Sequence, residues 1–248
     1  MEYEILQKKL DHMFSKLGSI EKKIHISWKN KDVINKNFNI IKHGILKLKL
    51  LNPDYEFKIY DDDDIEQYLK LKLSEEDYNL IKNRKIVEKT DLWRLLIIYD
   101  EGGLYQDIDR LCNIPLSSII KPTTKCFLPT YFDVDTSQDI ICTSKGNEII
   151  KKAIEKNIER RKQGTTDIFY LGPITYFNTV TEIILGIELN REPEKDKIDL
   201  LRKLLNNSQY IETYREEPPY NTILYQGPPI LFDKDPLYNC YNVSHWGS

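Results

Sequence analysis

The 248-residue sequence predicts an α/β fold, a Rossmann-like sandwich with a mostly parallel central sheet and added helices. Two observations carry that expectation. Short alternating apolar runs at 23–28 and 55–60 are interleaved with segments at 33–50 and 65–71 whose apolar residues recur at helical spacing. A further apolar helix over 91–99 is then stopped by Gly102-Gly103 and followed by the short extended run Leu104-Tyr105-Gln106. Strand, helix, strand, helix in this order is the pattern of sheets with nucleotide-binding potential.

From the N-terminus, Ile5, Leu6, Leu10, Met13, Phe14 and Leu17 lie at helical spacing and Gly18 stops them. Residues 1–20 are therefore expected as an appended helix, with His12 on its surface, and residues 21–248 as a single domain. The first strand ends in Trp28, whose indole suits either a core position or a stack on a flat base. The helix over 33–50 ends at Asn52-Pro53. The run Asp61 to Asp64 has neither the spaced ligands nor the glycine turn of a calcium loop. Asp61 or Asp62 is expected to cap the next helix, with the other acids favouring its positive end. Ser74 and Asp77 are spaced like a capping-box variant at another helix start.

Residues 90–111 organise the chain. Leu92, Leu95, Leu96 and Tyr99 share one helix face, and Asp91 and Arg94, three apart, share another. That pair reads as an intrahelical ion pair or as two groups turned to a ligand. Beyond Gly102-Gly103, an extended run would point Asp107 and Asp109 the same way and Ile108 opposite. Paired carboxylates repel unless a cation lies between them, and Mg²⁺ or Mn²⁺ suits oxygen ligands while leaving positions for phosphate oxygens. An isolated Asp-x-Asp is common in solvated turns. Here the apolar helix, the glycines and the apolar strand around it favour the metal reading.

Downstream, 117–121 reads as a loop or short helix, and 125–131 and 139–143 as strands. Asp133 and Asp135, a second Asp-x-Asp, sit in an exposed polar connection. Residues 148–162 form an amphipathic helix whose Lys156, Arg160, Arg161 and Lys162 suit its negative end. A helix follows Leu171-Gly172-Pro173 to about 185, residues 187–197 form a charged loop, 200–205 is helical, and strands are expected at 210–214 and 222–225. Net charge is −3 with 30% charged residues, so no single-sign field points to nucleic acid or an anionic membrane. Cys112, Cys126, Cys142 and Cys240 show no C-x-x-C pair or zinc-like spacing and are expected as free thiols. No apolar run approaches the roughly 20 residues of a membrane helix, and residues 1–20 lack a signal-peptide core. A cytoplasmic protein without a transmembrane segment is expected.

The stretch D-L-W-R-L-L-I-I-Y-D-E-G-G-L-Y-Q-D-I-D resembles the signature of glycosyltransferase family 32, the DXD-containing sugar transferases, and more distantly that of the clostridial glucosylating toxins. Ile24-His25-Ile26-Ser27-Trp28 is similar to the family's opening I-H-x-x-W. Asn52-Pro53-Asp54-Tyr55 with Asp61-Asp62-Asp63-Asp64-Ile65 is similar to its N-P-x-Y and D-D-x-D-I. Leu171-Gly172-Pro173 resembles its T-G-P turn, with leucine at the threonine position, and Ser244-His245-Trp246-Gly247-Ser248 its closing H-H-W-x-G-S, with Ser244 in place of a histidine.

The resemblance implies a GT-A fold and transfer of a hexose from a UDP- or GDP-linked donor, with retention, to a glycan, glycolipid or protein acceptor. It implies Mn²⁺ or Mg²⁺ on Asp107, Asp109 and His245. Asp91 and Arg94 would face the donor, Trp28 and Ile26 would border the base, and Tyr105, Ile108 and Trp246 would complete the donor site. The alternative is a non-catalytic module of the same fold that binds nucleotide sugar or carbohydrate. A nucleotidyltransferase is disfavoured, because Trp28-Lys29-Asn30-Lys31 has no glycine for a phosphate loop.

Overall fold

The computed structural model describes residues 2–34, 39–108, 110, 115–131, 135–136, 138–189 and 195–216. The chain begins with α1 (Glu2–Ser15), β1 (Lys23–Ser27), α2 (Asn39–Leu51) and β2 (Glu56–Tyr60). Next come α3 (Asp62–Lys72), α4 (Glu75–Asn79), α5 (Ile86–Glu101) and β3 (Gly103–Gln106). After β4 (Cys126–Tyr131), β5 (Asp135–Thr136) and β6 (Ile140–Thr143) it continues through α6 (Glu148–Lys162), α7 (Ile168–Leu171), α8 (Pro173–Leu185) and α9 (Lys195–Asn207) to β7 (Ile211–Glu216).

The strands pair in the order β2-β1-β3-β6-β4-β5, with β7 also on β4. The β1–β2, β1–β3 and β4–β7 pairings are parallel, while β6 opposes both β3 and β4 and β5 opposes β4. All the strands except β5 and β6 therefore run one way, so the sheet is mostly parallel in direction.

Strand alternation sorts the core into two layers. Ile24, Ile26, Leu104, Phe127, Ile140 and Cys142 pack with Ile45 and Leu48 of α2 on one face. Tyr105, Cys126, Leu128, Ile141 and Ile211 pack on the other face with α5, α6, α8 and α9. Leu10 and Phe14 of α1 are buried in that second layer. The helix 168–185 is apolar enough by composition to cross a bilayer, but it is broken at Gly172-Pro173 and mostly buried in this layer.

Local chemistry explains the element ends. Asp61 caps α3 through a reciprocal box with Asp64, as a run of acids at a helix start favours. Ser74 accepts from the Asp77 N–H to cap α4. Pro173 opens α8 and left-handed Gly186 ends it. Helix α9 starts at Lys195, so 195–197 is helical where a loop was expected. The basic last turn of α6 stands where it was expected, and two of its residues do more. Arg160 and Arg161 are buried tertiary staples: Arg160 donates to the Tyr170 carbonyl and the Thr175 hydroxyl, and Arg161 to Asn157 and Glu88.

Helix α5 begins five residues before the expected start and is buried on nearly every side, from Asp91 to Ile98. Between the sheet and the flanking helices it has no solvent face to mark, so the leucine stripe understated its burial. Trp93 is fully buried and edge-on to Tyr60 and Tyr105, with ring centroids 4.9 and 6.0 Å apart.

The turn from α5 into β3 is fixed from three sides. Gly102 (φ 65°) caps the helix, and Gly103 (φ 95°) enters the strand so close to β1 that a Cβ would lie 2.5 Å from the Lys23 carbonyl oxygen. Glu101 takes bonds of 2.9 Å from both Lys23 and Lys58; burial opposes its charge, and the two lysines overcome this and hold its carboxyl down at about 2. His25, fully buried in β1, donates from Nε2 to the Gly102 carbonyl (3.1 Å) and accepts at Nδ1 from the Tyr60 hydroxyl (3.0 Å). A carbonyl can only accept, so this is the neutral Nε2–H tautomer. Burial pushes the imidazole down to about 4.

Two outcomes follow for stability. Because the folded-state value of His25 lies below the unfolded 6.5, its contribution is complete above pH 6.5 and is lost as pH falls toward 4. The stability difference between the wild type and His25→Gln, measured by urea titration at several pH values, should shrink by about 3 kcal/mol across that window. Gly103→Ala should cost at least about 2 kcal/mol in the same assay, since it combines left-handed backbone with a clash against β1.

Candidate active site

The ends of β1 and β3 meet α5 and the start of α3 at the C-terminal edge of the parallel strands, where open α/β sheets place ligands. A cavity of about 100 Å³ opens there. Trp28, Ile65, Ile86 and Val87 give it apolar surface, and Arg94, Tyr105 and Asp107 line it as a bonded polar group. Ser27, Lys29, Asp62, Thr90 and Ile108 complete the lining.

Strand alternation places Tyr105 on the α5 side of the sheet, and Asp107, just past the strand's end, meets it there. The Tyr105 hydroxyl donates to Asp107 Oδ1 at 2.6 Å, and the Arg94 guanidinium lies over the Tyr105 ring, 4.7 Å from its centroid. Arg94 is the hub. Its Nη2 pairs with Asp91 Oδ1 at 3.1 Å, and its Nη1 pairs with Asp107 Oδ1 at 3.2 Å and donates to the Gln138 carbonyl at 3.0 Å. Asp91 and Arg94 are therefore an intrahelical ion pair, of which Arg94 lines the cavity and Asp91 lies buried behind it.

Electrostatics follow from burial. Burial pushes Asp91 up to about 6 against the pull of Arg94. Burial also opposes the Arg94 cation, but Asp107, Tyr105 and Asp91 together raise its pKa above the usual value, so it stays charged. The Tyr105 phenol is pushed up by burial and stays protonated.

One expectation is corrected. Strand β3 ends at Gln106, so Asp107 starts a turn and does not continue an extended run. The Arg110 N–H donates to the Asp107 carbonyl at 3.0 Å, and the Asp107 N–H donates to the Asp139 carbonyl at 2.8 Å. The Arg110 side chain pairs with Asp139 at 2.5 Å. Asp109, His245 and Trp246 lie outside the described residues, as do Asp133, Cys112, Cys240 and the expected strand at 222–225. Of the second Asp-x-Asp, the backbone of Asp135 pairs with Tyr131 in β5. The Ile26 side chain packs in the core with α2 and does not line the cavity, while Ile108 is largely buried at its edge. Cys126 and Cys142 are buried free thiols whose pKa values burial raises.

Three residues were missed from sequence. Asp62 lines the cavity while its neighbour Asp61 does the capping, a division that a run of four acids conceals. Lys29 lines it as well. Gln138 is 4% exposed, its side-chain oxygen has no hydrogen-bond partner among the described residues, and its amide crowds Gly172 together with Asp91. A Cβ on Gly172 would sit 2.4 Å from the Gln138 amide nitrogen and 2.8 Å from Asp91 Oδ2. Glycine there lets the α7–α8 turn close over the two side chains.

Among the described residues no cluster of three metal-ligating side chains occurs. Asp107 itself fits a hard cation. Its carboxylate is about one-third exposed at the cavity, and Tyr105 and Arg94 both bond to Oδ1, leaving Oδ2 for a ligand.

Residues 39–125 match the family described as "Glycosyltransferase sugar-binding region containing DXD motif". Inositol phosphoceramide mannosyltransferase 3 of Schizosaccharomyces pombe is 29% identical over 110 residues, which are 42% of this chain and 28% of that protein. Toxin Afp18 of Yersinia ruckeri is 26% identical over 113 residues, 43% of this chain and 5% of the toxin. The chain thus matches less than a third of the length of either relative. The solved structure of PaToxG Glycosyltransferase superposes with a TM-score of 0.54 at 20% identity, covering 84% of this chain and 95% of that one, which establishes the shared GT-A fold. With the DXD region matched and the sheet, the double glycine and the Asp91–Arg94–Asp107 cluster in place, the chain is similar to the family 32-like, DXD-containing glycosyltransferases.

Proposed function

We propose that this protein is a metal-dependent, retaining glycosyltransferase that moves a hexose from a UDP- or GDP-linked sugar to a glycan, glycolipid or protein acceptor. The observation that carries the reading is the contact of Arg94 with Asp91, Asp107 and the Gln138 carbonyl beside a cavity that is also lined by Trp28, Ile65, Ile86 and Val87. A nucleotide sugar combines the same two characters, a flat base and a diphosphate with hydroxyls.

Trp28, Ile86 and Val87 offer the base an apolar wall, and Asp62 offers an acceptor for its N–H groups or for ribose hydroxyls. Arg94 donates to a phosphate or sugar oxygen, and its Nε, buried and without a partner among the described residues, is a donor still open. Asp91 fixes the Arg94 fork and accepts from sugar hydroxyls. Gln138 offers its unpaired carboxamide oxygen to another hydroxyl, since a buried acceptor left unpaired costs about 1–3 kcal/mol.

Asp107 would hold Mn²⁺ or Mg²⁺ together with Asp109 and His245, and that ion would neutralise the diphosphate as it departs. The bond from the anomeric carbon to the diphosphate oxygen breaks, and a bond from the acceptor oxygen to the same carbon forms on the same face. The acceptor proton goes to the departing diphosphate. Arg94, held charged and short of solvent, stabilises that developing negative charge without reorganising.

The test is release of nucleoside diphosphate from a panel of UDP- and GDP-sugars with Mn²⁺. Turnover should appear with at least one donor and should fall about 100-fold or more in Asp107→Asn, the scale of losing one preorganised charge in a dry site. Arg94→Lys should also fall, since lysine keeps the charge and loses the planar fork. Circular dichroism should show both variants folded. Calorimetric binding of a donor without turnover in the wild type would assign the chain to the non-catalytic alternative, and a full-rate Asp107→Asn enzyme would overturn the mechanism.

A further inference from the structure

A second cavity, of about 240 Å³, lies between the turn that joins α4 to α5 and the loop that joins α6 to α7. Arg84, Arg161, Asn83 and Thr166 are among its walls, and left-handed Gly164 leaves open space on the loop side. None of these residues lines the donor cleft.

The charges of this cavity do not balance. Arg161 Nη1 and Arg84 Nε both bear on Glu88 Oε2, at 3.3 and 3.2 Å. One buried carboxylate thus serves two guanidinium groups. Burial disfavours the charge on Arg161, Glu88 and Asp91 favour it, and the neighbouring Arg84 disfavours it again. Arg161 is almost wholly enclosed and its nitrogens are used, by Asn157 through Nε and by Glu88 through both Nη atoms. Arg84 differs. Its side chain is 34% exposed, and among the described residues no bond engages its two terminal nitrogens. A planar fork with both teeth open, backed by a second buried cation, matches an oxyanion. Asn83 and Thr166 add neutral polar groups at the same walls.

We propose that this cavity binds a phosphate group, with the Arg84 fork as its direct ligand and Arg161 as the buried counter-charge behind it. The bound anion offsets the excess positive charge of two guanidinium groups that share one carboxylate. It would also clamp the first turn of α5, because Glu88 lies three residues before Asp91 on that helix. The site is independent of the donor reading: it would exist whether or not the protein transfers sugar.

Isothermal calorimetry with inorganic phosphate, at constant ionic strength with chloride as the control anion, tests this directly. Saturable binding to the wild type is expected, with at least a tenfold loss in Arg84→Gln. Asn83→Asp, which sets a carboxylate on an exposed wall of the cavity, should lose phosphate similarly and covers the case in which the arginine variant fails to fold. UDP with Mn²⁺ should bind Arg84→Gln as it binds the wild type. Glucose 6-phosphate tighter than phosphate would assign the natural ligand to an esterified phosphate, and equal binding to the free ion; either supports the site. Absence of phosphate binding in the wild type, equal affinity in both variants, or loss of phosphate binding on saturation with UDP and Mn²⁺ would overturn it.

Discussion

The buried guanidinium of Arg94 is the constraint on which the site depends. It reaches a helix carboxylate at Asp91, a carboxylate after a strand at Asp107 and a backbone carbonyl at Gln138, and it rests on the Tyr105 ring. A cation this enclosed is costly unless it is paired, so α5, β3 and the connection into β6 must arrive together for the fold to close. The same pairing sets a guanidinium beside the Asp107 carboxylate at the edge of the sheet. Stability and the proposed chemistry therefore draw on one group, and of the two carboxylates that satisfy Arg94 it is Asp107 that lines the cavity.

The backbone geometry that delivers Asp107 is set further back. Gly102 and Gly103 let the chain reverse from α5 into β3 within van der Waals reach of β1, and His25, Glu101 and the two lysines hold that reversal from the sheet. A histidine with a depressed pKa would elsewhere suggest proton transfer. Here both nitrogens are occupied by Tyr60 and the Gly102 carbonyl, so it acts as a brace. The expected opening motif around residues 24–28 thus divides its work: His25 supports the turn on one side of the sheet, and Trp28 walls the cavity at the strand's end.

What was legible in the sequence was local. The period of the apolar residues marked α5 and β1, the double glycine marked the turn, and the three-residue spacing paired Asp91 with Arg94. What stayed hidden depended on residues distant in the chain. Gln138 reaches the site across 44 residues, with no local pattern around it to signal a buried amide. The turn at Asp107 requires the Asp139 carbonyl, so a reading of alternation alone continued the strand too far. Arg160 and Arg161 are the basic helix end that sequence marks, but sequence shows their charge and not the carboxylate and carbonyl that α5 and α7 bring to them. Of the residues that the resemblance named, Trp28, Arg94, Tyr105, Asp107 and Ile108 line the cavity, and the placement of Asp62 and Gln138 came from the fold.

The most direct test of the central claim is an anomalous diffraction map from crystals soaked with Mn²⁺ and a nucleoside diphosphate. The arrangement around Arg94 predicts a manganese peak on the free oxygen of Asp107, with the diphosphate between that ion and Arg94 and the base against Trp28. A diphosphate bound elsewhere, with Asp107 still locked to Tyr105 and Arg94 and no metal beside it, would contradict it.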